Sequence, residues 1–281
     1  MYTDTAVGRV AHQKSKLNEE NVNDALRLAE YILEKKEELH TYQDDFHYFH
    51  ISMRELEQTL LTLNHADSLE SRATTHLENQ DLELLNNLYC LWETNLENRF
   101  VDFLKQGVVK HYLDYPLYAR FERLIHREVS LLQGLNPKRL LFIGSGPMPI
   151  TALCLKNRLG TQIDCLERNL DAVNESKAVM KLLGCENEIN ILHGEGEFID
   201  ASNYDVVLVA LLAKPKHLIL SSIRDSADKN VKIICRTSEG ARMVFYEPTL
   251  DNAIPDGLKS VAHEKAGIDD TISSYLLEKV L

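Results

Sequence analysis

The sequence predicts an α/β fold, a Rossmann-like domain over residues 136–281 preceded by an all-helical N-terminal domain over residues 1–135. Three observations predict it. From about Asn18 to Leu132 the apolar residues recur only at helical spacing, three and four apart. At Leu135-Asn136-Pro137, a helix stop, the pattern changes to short apolar runs alternating with helices, the pattern of a parallel sheet covered on both faces. The first of these runs, KRLLFIGSGPMPITALCL from Lys138 to Leu155, passes from an apolar strand through a glycine turn into an apolar helix.

In the helical half, Ala25, Leu28, Ala29, Ile32 and Leu33 mark one stripe, and Met53, Leu56, Leu60, Leu61 and Leu63 a second. Leu82, Leu85, Leu88, Trp92, Leu96 and Phe100 mark a third, and Leu117, Phe121, Leu124, Ile125, Val129 and Leu132 a fourth. With a polar stretch from His65 to Gln80 as loop or short helix, this is a bundle of about five helices. Strands are expected at Arg139–Ile143, Gln162–Leu166, Ile189–His193, Asp205–Leu211 and Val231–Cys235, with the clearest intervening helix at Asp171–Leu183. Two closing strands, near Lys259–His263 and Thr271–Val280, would pair antiparallel. A parallel sheet ending in an antiparallel hairpin is the layout of class I S-adenosylmethionine-dependent enzymes.

The turn Gly144-Ser145-Gly146 lets the backbone pass close to a ligand, and the helix N-terminus behind it favours charge-bearing polar groups. Pro147 and Pro149 are expected in the first helical turn, where a missing N–H costs nothing. The full dinucleotide pattern G-x-G-x-x-G fails, because Pro149 follows Pro147-Met148 where glycine is required. That points away from a nicotinamide or flavin dinucleotide and towards a shorter adenosyl ligand held by Gly144, Ser145, Gly146 and Pro147. A tight strand–helix turn with no ligand is the alternative.

An adenosyl ligand needs a carboxylate for its ribose hydroxyls after the second strand. Glu167 fits, 167 − 144 = 23 residues beyond the first glycine; otherwise it is an ordinary charge at a strand end. Asp171 reads as a helix-start acid. After the third strand, in His193-Gly194-Glu195-Gly196-Glu197, Glu195 is the candidate for the adenine edge, with a solvated acidic loop as the alternative. The fourth strand, YDVVLVALLAKP, ends in the apolar Ala210-Leu211-Leu212, with Ala210 against the ligand. An enzyme that methylates nitrogen often carries a polar Asp/Asn-Pro-Pro-Tyr there.

The 281 residues carry 31 basic and 43 acidic side chains, a net charge of −12, and no Lys/Arg run that would track phosphates. Composition therefore points away from nucleic acid and towards a small-molecule enzyme. The N-terminus lacks the apolar core of a signal peptide and no apolar run approaches membrane-spanning length, so no membrane association is expected. Five cysteines, an odd number without a C-x-x-C pair, read as reduced thiols of a cytoplasmic protein. His40, His47 and His50 cluster, and His47 and His50 can share a helix face, but no third ligand accompanies them and no metal is expected.

The segments FIGSGPMPIT, YDVVLVALLAKPK and IICRTSEGARMVFYEP, in this order, resemble nicotianamine synthase and its bacterial and archaeal relatives. Upstream, NLENRF (Asn95 to Phe100) looks like the family's Leu-Glu-x-x-Phe segment, and YPLYARF (Tyr115 to Phe121) like its aromatic-Pro-x-Tyr segment. The resemblance runs from roughly Leu82 to the C-terminus. It implies transfer of the 3-amino-3-carboxypropyl (aminobutyrate) group of S-adenosylmethionine to the amine of an acceptor, releasing 5'-methylthioadenosine. Plant members condense three such units; bacterial relatives add one to an amino acid such as histidine, for metallophore biosynthesis completed by an opine dehydrogenase. The chain's length suits the microbial branch. A small-molecule N-methyltransferase, or a nicotianamine synthase making several additions, are the alternatives, and a homodimer stays open.

Such a transfer needs the acceptor nitrogen in line with the S–Cγ bond, about 3–3.5 Å away. An α-amine, with a pKa of about 7.7–8 in peptides, is largely protonated near neutrality, so a general base helps. Glu97 is the candidate, a carboxylate between Leu96 and Phe100 on an apolar helix; the alternative is a surface charge paired with Arg99 or Lys105. The family match implies that Tyr118 orients the amine or relays its proton; the alternative is an aromatic packed next to Phe121. Glu93, one turn before Glu97, is an acceptor-binding candidate or a solvated charge. Arg236, at the end of the fifth strand, would clamp a substrate carboxylate, and Arg242 is a second candidate or a surface ion pair. The pocket is expected in the crevice between the two domains.

Overall fold

The computed structural model describes residues 27–32, 46–62, 79–249 and 251–280. Ala25, Leu33, Leu63, His40 and residues 65–78 of the expected polar stretch lie outside them. Contacts divide the chain into two compact units, Met1–Trp92 with Glu239–Glu247, and Glu93–Ser238 with Pro248–Leu281.

The described residues of the first unit are helical. Residues 27–32 bury Ala29 and Ile32, and helix α1 (Phe46–Thr62) buries Phe49, Met53, Leu56 and Leu60, one stripe at helical spacing. Helix α2 (Asn79–Lys105) contributes Leu85, Leu88, Tyr89 and Trp92. Tyr89 is the hub: its ring centroid lies 5.1 Å from Trp92, 4.6 Å from Phe245 and 5.1 Å from Tyr246. Its hydroxyl donates to the buried Glu57 carboxylate, which also pairs with Arg54 at 3.1 Å. The Asn86 amide donates to the carbonyls of Met243 and Val244 at 2.9 and 3.0 Å, fixing the 3₁₀ segment Gly240–Val244.

The second unit is built on a seven-stranded sheet in the order β3-β2-β1-β4-β5-β7-β6. Strands β1 (Arg139–Ile143), β2 (Gln162–Glu167), β3 (Ile189–His193), β4 (Val206–Val209) and β5 (Lys232–Thr237) are parallel. Strands β6 (Leu258–Glu264) and β7 (Ser273–Lys279) close the sheet antiparallel, with a bulge between Ser260 and Ala262. The central strands are near-continuous apolar runs because both faces of a parallel sheet are covered. The expected strands and hairpin are all present, with ends shifted by one or two residues.

Helix α3 (Tyr118–Leu131) buries Leu124, Ile125 and Leu131 and packs on α4 (Ile150–Leu159), which packs on β2. Helix α4 ends on Gly160 in the left-handed region (φ 61°). Helix α5 (Leu170–Leu182) starts at Asn169, whose side chain accepts from the Ala172 N–H at 3.1 Å. Helix α6 (Lys216–Ser226) lies against the turn Gly196–Phe198. One local expectation is corrected. Pro147 and Pro149 precede α4 rather than sit in its first turn, because Pro149, with ψ 58°, is the non-helical cap.

A buried ion pair ties these layers together. Arg236 of β5 donates from Nε and Nη2 to the two carboxylate oxygens of Glu128 on α3, at 2.8 and 2.9 Å. Its Nη1 donates to Thr151 Oγ1 of α4 at 3.1 Å, and Ser274 of β7 donates to the same carboxylate at 2.7 Å. Glu128 is fully buried and Arg236 is 3% exposed. Removing one partner strands the other charge, which costs about 3–5 kcal/mol, whereas an apolar pair of like volume is near neutral. Urea unfolding should therefore show Glu128→Ala losing about 3–5 kcal/mol, and the double variant Glu128→Leu/Arg236→Met losing less than either single change.

Candidate active site

The site lies where β1, β2 and β4 end, the face on which parallel sheets bind ligands. Strand β1 runs into Gly144 (φ 83°) and Gly146 (φ 69°), a backbone conformation that favours glycine. Space requires it as well. A Cβ on Gly144 would stand 3.2 Å from the Ala210 Cβ and 3.1 Å from the Ala213 Cβ, and one on Gly146 would stand 2.8 Å from Oε2 of Glu97. The turn is held by the Gly144 N–H donating to the Leu166 carbonyl at 2.8 Å. Between the glycines, the Ser145 hydroxyl is buried without a hydrogen-bond partner among the described residues. Pro147 is buried beside it.

Glu167 closes the turn from β2. Its Oε2 accepts from the Gly146 N–H at 3.0 Å and its Oε1 from the Asn169 N–H at 2.9 Å. Ala210, 8% exposed, continues β4, its N–H donating to the Ile143 carbonyl at 3.0 Å. The Lys216 ammonium bonds the carbonyls of Ala210 and Leu211, fixing this loop. Glu195 is exposed and precedes the turn Gly196–Phe198.

Glu97 comes from the second half of α2, anchored by buried Leu96, Phe100, Val101 and Leu104. Its carboxyl meets Gly146 and accepts from the Met148 N–H. Desolvation pushes its pKa well above 4.5; the negative charges of Glu93 and Glu167 push the same way, and the Met148 N–H opposes them. A raised pKa makes the carboxylate a stronger proton acceptor than an ordinary glutamate. Glu93 lies on the same face of α2, its Oε1 3.9 Å from Nη1 of Arg120 on α3.

The structure brings Gly144, Ser145, Gly146, Glu167, Ala210, Glu97 and Glu93 into one neighbourhood. It places Tyr118 in another setting at the start of α3, its ring centroid 5.9 Å from that of Tyr112. Burial, with Cys154, Tyr112 and Glu122 nearby, raises the Tyr118 pKa, so the hydroxyl keeps its proton. Among the described residues no hydrogen bond joins Tyr118 to Glu97. Arg236 does not present its fork to a substrate: Glu128 and Thr151 occupy all three nitrogens. Arg242 is buried within the 3₁₀ segment of the first unit. His47 is exposed, and His50 faces Trp92 Nε1 at 3.1 Å. Among the described residues no group of His, Cys, Asp and Glu is placed to hold a metal ion, and no helix is long and apolar enough to cross a membrane. The five cysteines are free thiols. Sequence reasoning missed Glu128 as the partner of Arg236, 108 residues away, which no local pattern reveals.

The sheet order, the glycine turn and the carboxylate at the end of β2 define a class I Rossmann-like fold of the S-adenosylmethionine-dependent type. The chain belongs to the nicotianamine synthase family, whose model, described as nicotianamine synthase protein, matches residues 21–279. It is 25% identical over 128 residues to the L-histidine 2-aminobutanoyltransferase of Yersinia pestis, covering 46% of this chain and 48% of that protein. It is 26% identical over 209 residues to nicotianamine synthase 3 of Arabidopsis thaliana, covering 67% of this chain and 63% of that one. The chain thus spans about half the length of the bacterial relative and under two thirds of the plant one. The crystal structure of MtNAS in complex with MTA and tNA shares the fold, with a TM-score of 0.80, 23% identity, and coverage of 92% of this chain and 98% of that one.

Glu97 has a pH signature of its own. Its folded pKa is raised, so the folded state binds more protons between 4.5 and the folded value, and stability falls as pH rises through that window. Thermal melts should show Glu97→Gln more stable than the parent above the window, the gain disappearing below pH 4.5.

Proposed function

We propose that the protein transfers the 3-amino-3-carboxypropyl group of S-adenosylmethionine to the amine of an amino-acid acceptor and releases 5'-methylthioadenosine. The observation that carries this reading is the carboxyl of Glu97 resting on Gly146 of the ligand turn with its pKa raised. The residues fit an adenosyl co-substrate. Ser145 has a buried hydroxyl awaiting a partner, Gly144 and Gly146 leave no room for side chains, and Glu167 stands where ribose hydroxyls would bond. Acidic Glu93, Glu97 and Glu167 favour a cationic sulfonium and a cationic ammonium alike.

In the reaction the acceptor nitrogen's lone pair forms a bond to Cγ, and the S–Cγ pair stays on sulfur, which leaves as a neutral thioether. The proton lost by the nitrogen goes to the Glu97 carboxylate. Intrinsic reactivity favours the methyl group, so selection rests on which carbon faces the amine. Tyr118, set beside Tyr112, Cys154 and Glu122, keeps its proton and takes none from the acceptor. The bacterial relative's name favours histidine as acceptor; one unit added and a metallophore precursor as product are what the family resemblance implies. We place the enzyme in the cytoplasm, acting ahead of an opine dehydrogenase, with a homodimer as the assembly to test.

The test is incubation with S-adenosylmethionine and a panel of D- and L-amino acids, read by mass spectrometry. Methylthioadenosine and an aminobutyrate adduct are expected; S-adenosylhomocysteine with a methylated amine would overturn the reading. Glu97→Gln should lower kcat/KM by about 10²–10⁴ while still binding the co-substrate, and parent-like turnover would remove Glu97 from the role of base.

A further inference from the structure

We infer that Lys216 decides which carbon of the sulfonium the acceptor amine attacks, by holding a cation on the two carbonyls that end β4; the inference rests on the transferase reading. The two glycines of the ligand turn face different chemistry. A Cβ on Gly146 would meet the Glu97 carboxyl, whereas one on Gly144 would meet the side chains of Ala210 and Ala213. The loop from β4 to α6, residues 210–216, is therefore a second wall of the turn. It carries Lys214 and Lys216 and no acid.

The carbonyls of this loop are bonded to cationic side chains. The Lys216 ammonium donates to the carbonyl of Ala210 and, at 3.0 Å, to that of Leu211. Nη1 of Arg168, the residue after Glu167, donates to the Lys214 carbonyl at 3.2 Å. The Ala213 N–H also donates to the Ala210 carbonyl at 3.2 Å, so both lone pairs of that oxygen are used.

An attacking amine needs acceptors for its N–H groups, and positive charge grows on its nitrogen as the new bond forms. Glu97 supplies a carboxylate on the Gly146 side. The end of β4 supplies alanine and leucine side chains, and carbonyls already bonded to an ammonium that repels the growing charge. The end of β4 is also where a nitrogen-methylating enzyme often carries its polar motif, so an amine held there is placed to take the methyl group. Lys216 closes that route and leaves the amine to the Glu97 side. It touches no reacting atom, acting through the Ala210 and Leu211 carbonyls, and so is a positioning residue. The two routes are one kind of displacement. The nitrogen lone pair bonds to carbon, and the S–C pair stays on sulfur. One proton leaves the nitrogen, to Glu97 on the Cγ route and to water on the methyl route. Attack at Cγ releases 5'-methylthioadenosine, and attack at the methyl group releases S-adenosylhomocysteine.

The test is the ratio of methylated acceptor to aminobutyrate adduct, read by mass spectrometry. The full chain is supplied with S-adenosylmethionine and with L-histidine or, in parallel, the amino acid of the panel that the parent converts fastest. Both products come from the same active molecules, so the ratio does not depend on how much of a variant is folded. The parent should give a ratio below about 1 in 100. Lys216→Met, which keeps the length of the side chain and removes its charge, should raise the ratio at least about tenfold. Lys216→Arg, which keeps the charge, should stay within about twofold of the parent. If Lys216→Met does not fold, Lys216→Gln, which keeps an N–H donor without the charge, serves the same comparison. An unchanged ratio in the uncharged variant, loss of both adducts by a folded variant, or an equal rise in Lys216→Arg each overturns the role of Lys216 and leaves the transferase reading standing. A parent that forms no aminobutyrate adduct overturns the transferase reading itself.

Discussion

A carboxyl group pressed onto a glycine is the contact on which the site depends. Oε2 of Glu97 occupies the space where any side chain at position 146 would begin, and the Met148 N–H just beyond the turn bonds the same group. The turn therefore needs glycine twice over, for its positive φ and for the approach of α2. The helix is held in register by Leu96 and Phe100 on either side of Glu97. Desolvating a carboxyl beside two others is unfavourable, and a single backbone N–H offsets only part of it. Such a local cost is expected where a group is kept ready to exchange a proton.

The rest of the second unit makes that contact reproducible. The parallel strands hold the turn, the Glu167 carboxylate and the Ala210 loop at fixed spacing, and Lys216 ties the loop's carbonyls from α6. The charged interior of Arg236 and Glu128 sits behind α4, the helix that leaves the turn. Elements that place reacting groups to within fractions of an ångström need supports of this kind.

Most of the fold was legible because it is written in periodicity. The strand ends fall within one or two residues of expectation because apolar runs bounded by polar residues define them. The glycine turn and Glu167 were legible because their spacing is local. Arg236 was misread for a physical reason. A guanidinium at a strand end looks available until its partner is known, and Glu128 reaches it from a helix 108 residues earlier. The flanking apolar residues, Ile233 to Cys235, were the warning that it lies in the interior. Tyr118 was placed on its motif, which carries no information about which side chains it faces; Tyr112 and Cys154 are set by the packing of α3 on α4.

The pair formed by Glu128 and Arg236 has a consequence for descent. Neither position can drift alone, since each single loss strands a charge in the interior, so the two codons behave as one inherited character. A lineage leaves this state only through a joint replacement or through a path that first loosens the surrounding core. Chains that share the fold should therefore fall into two classes, those with both charges and those with neither.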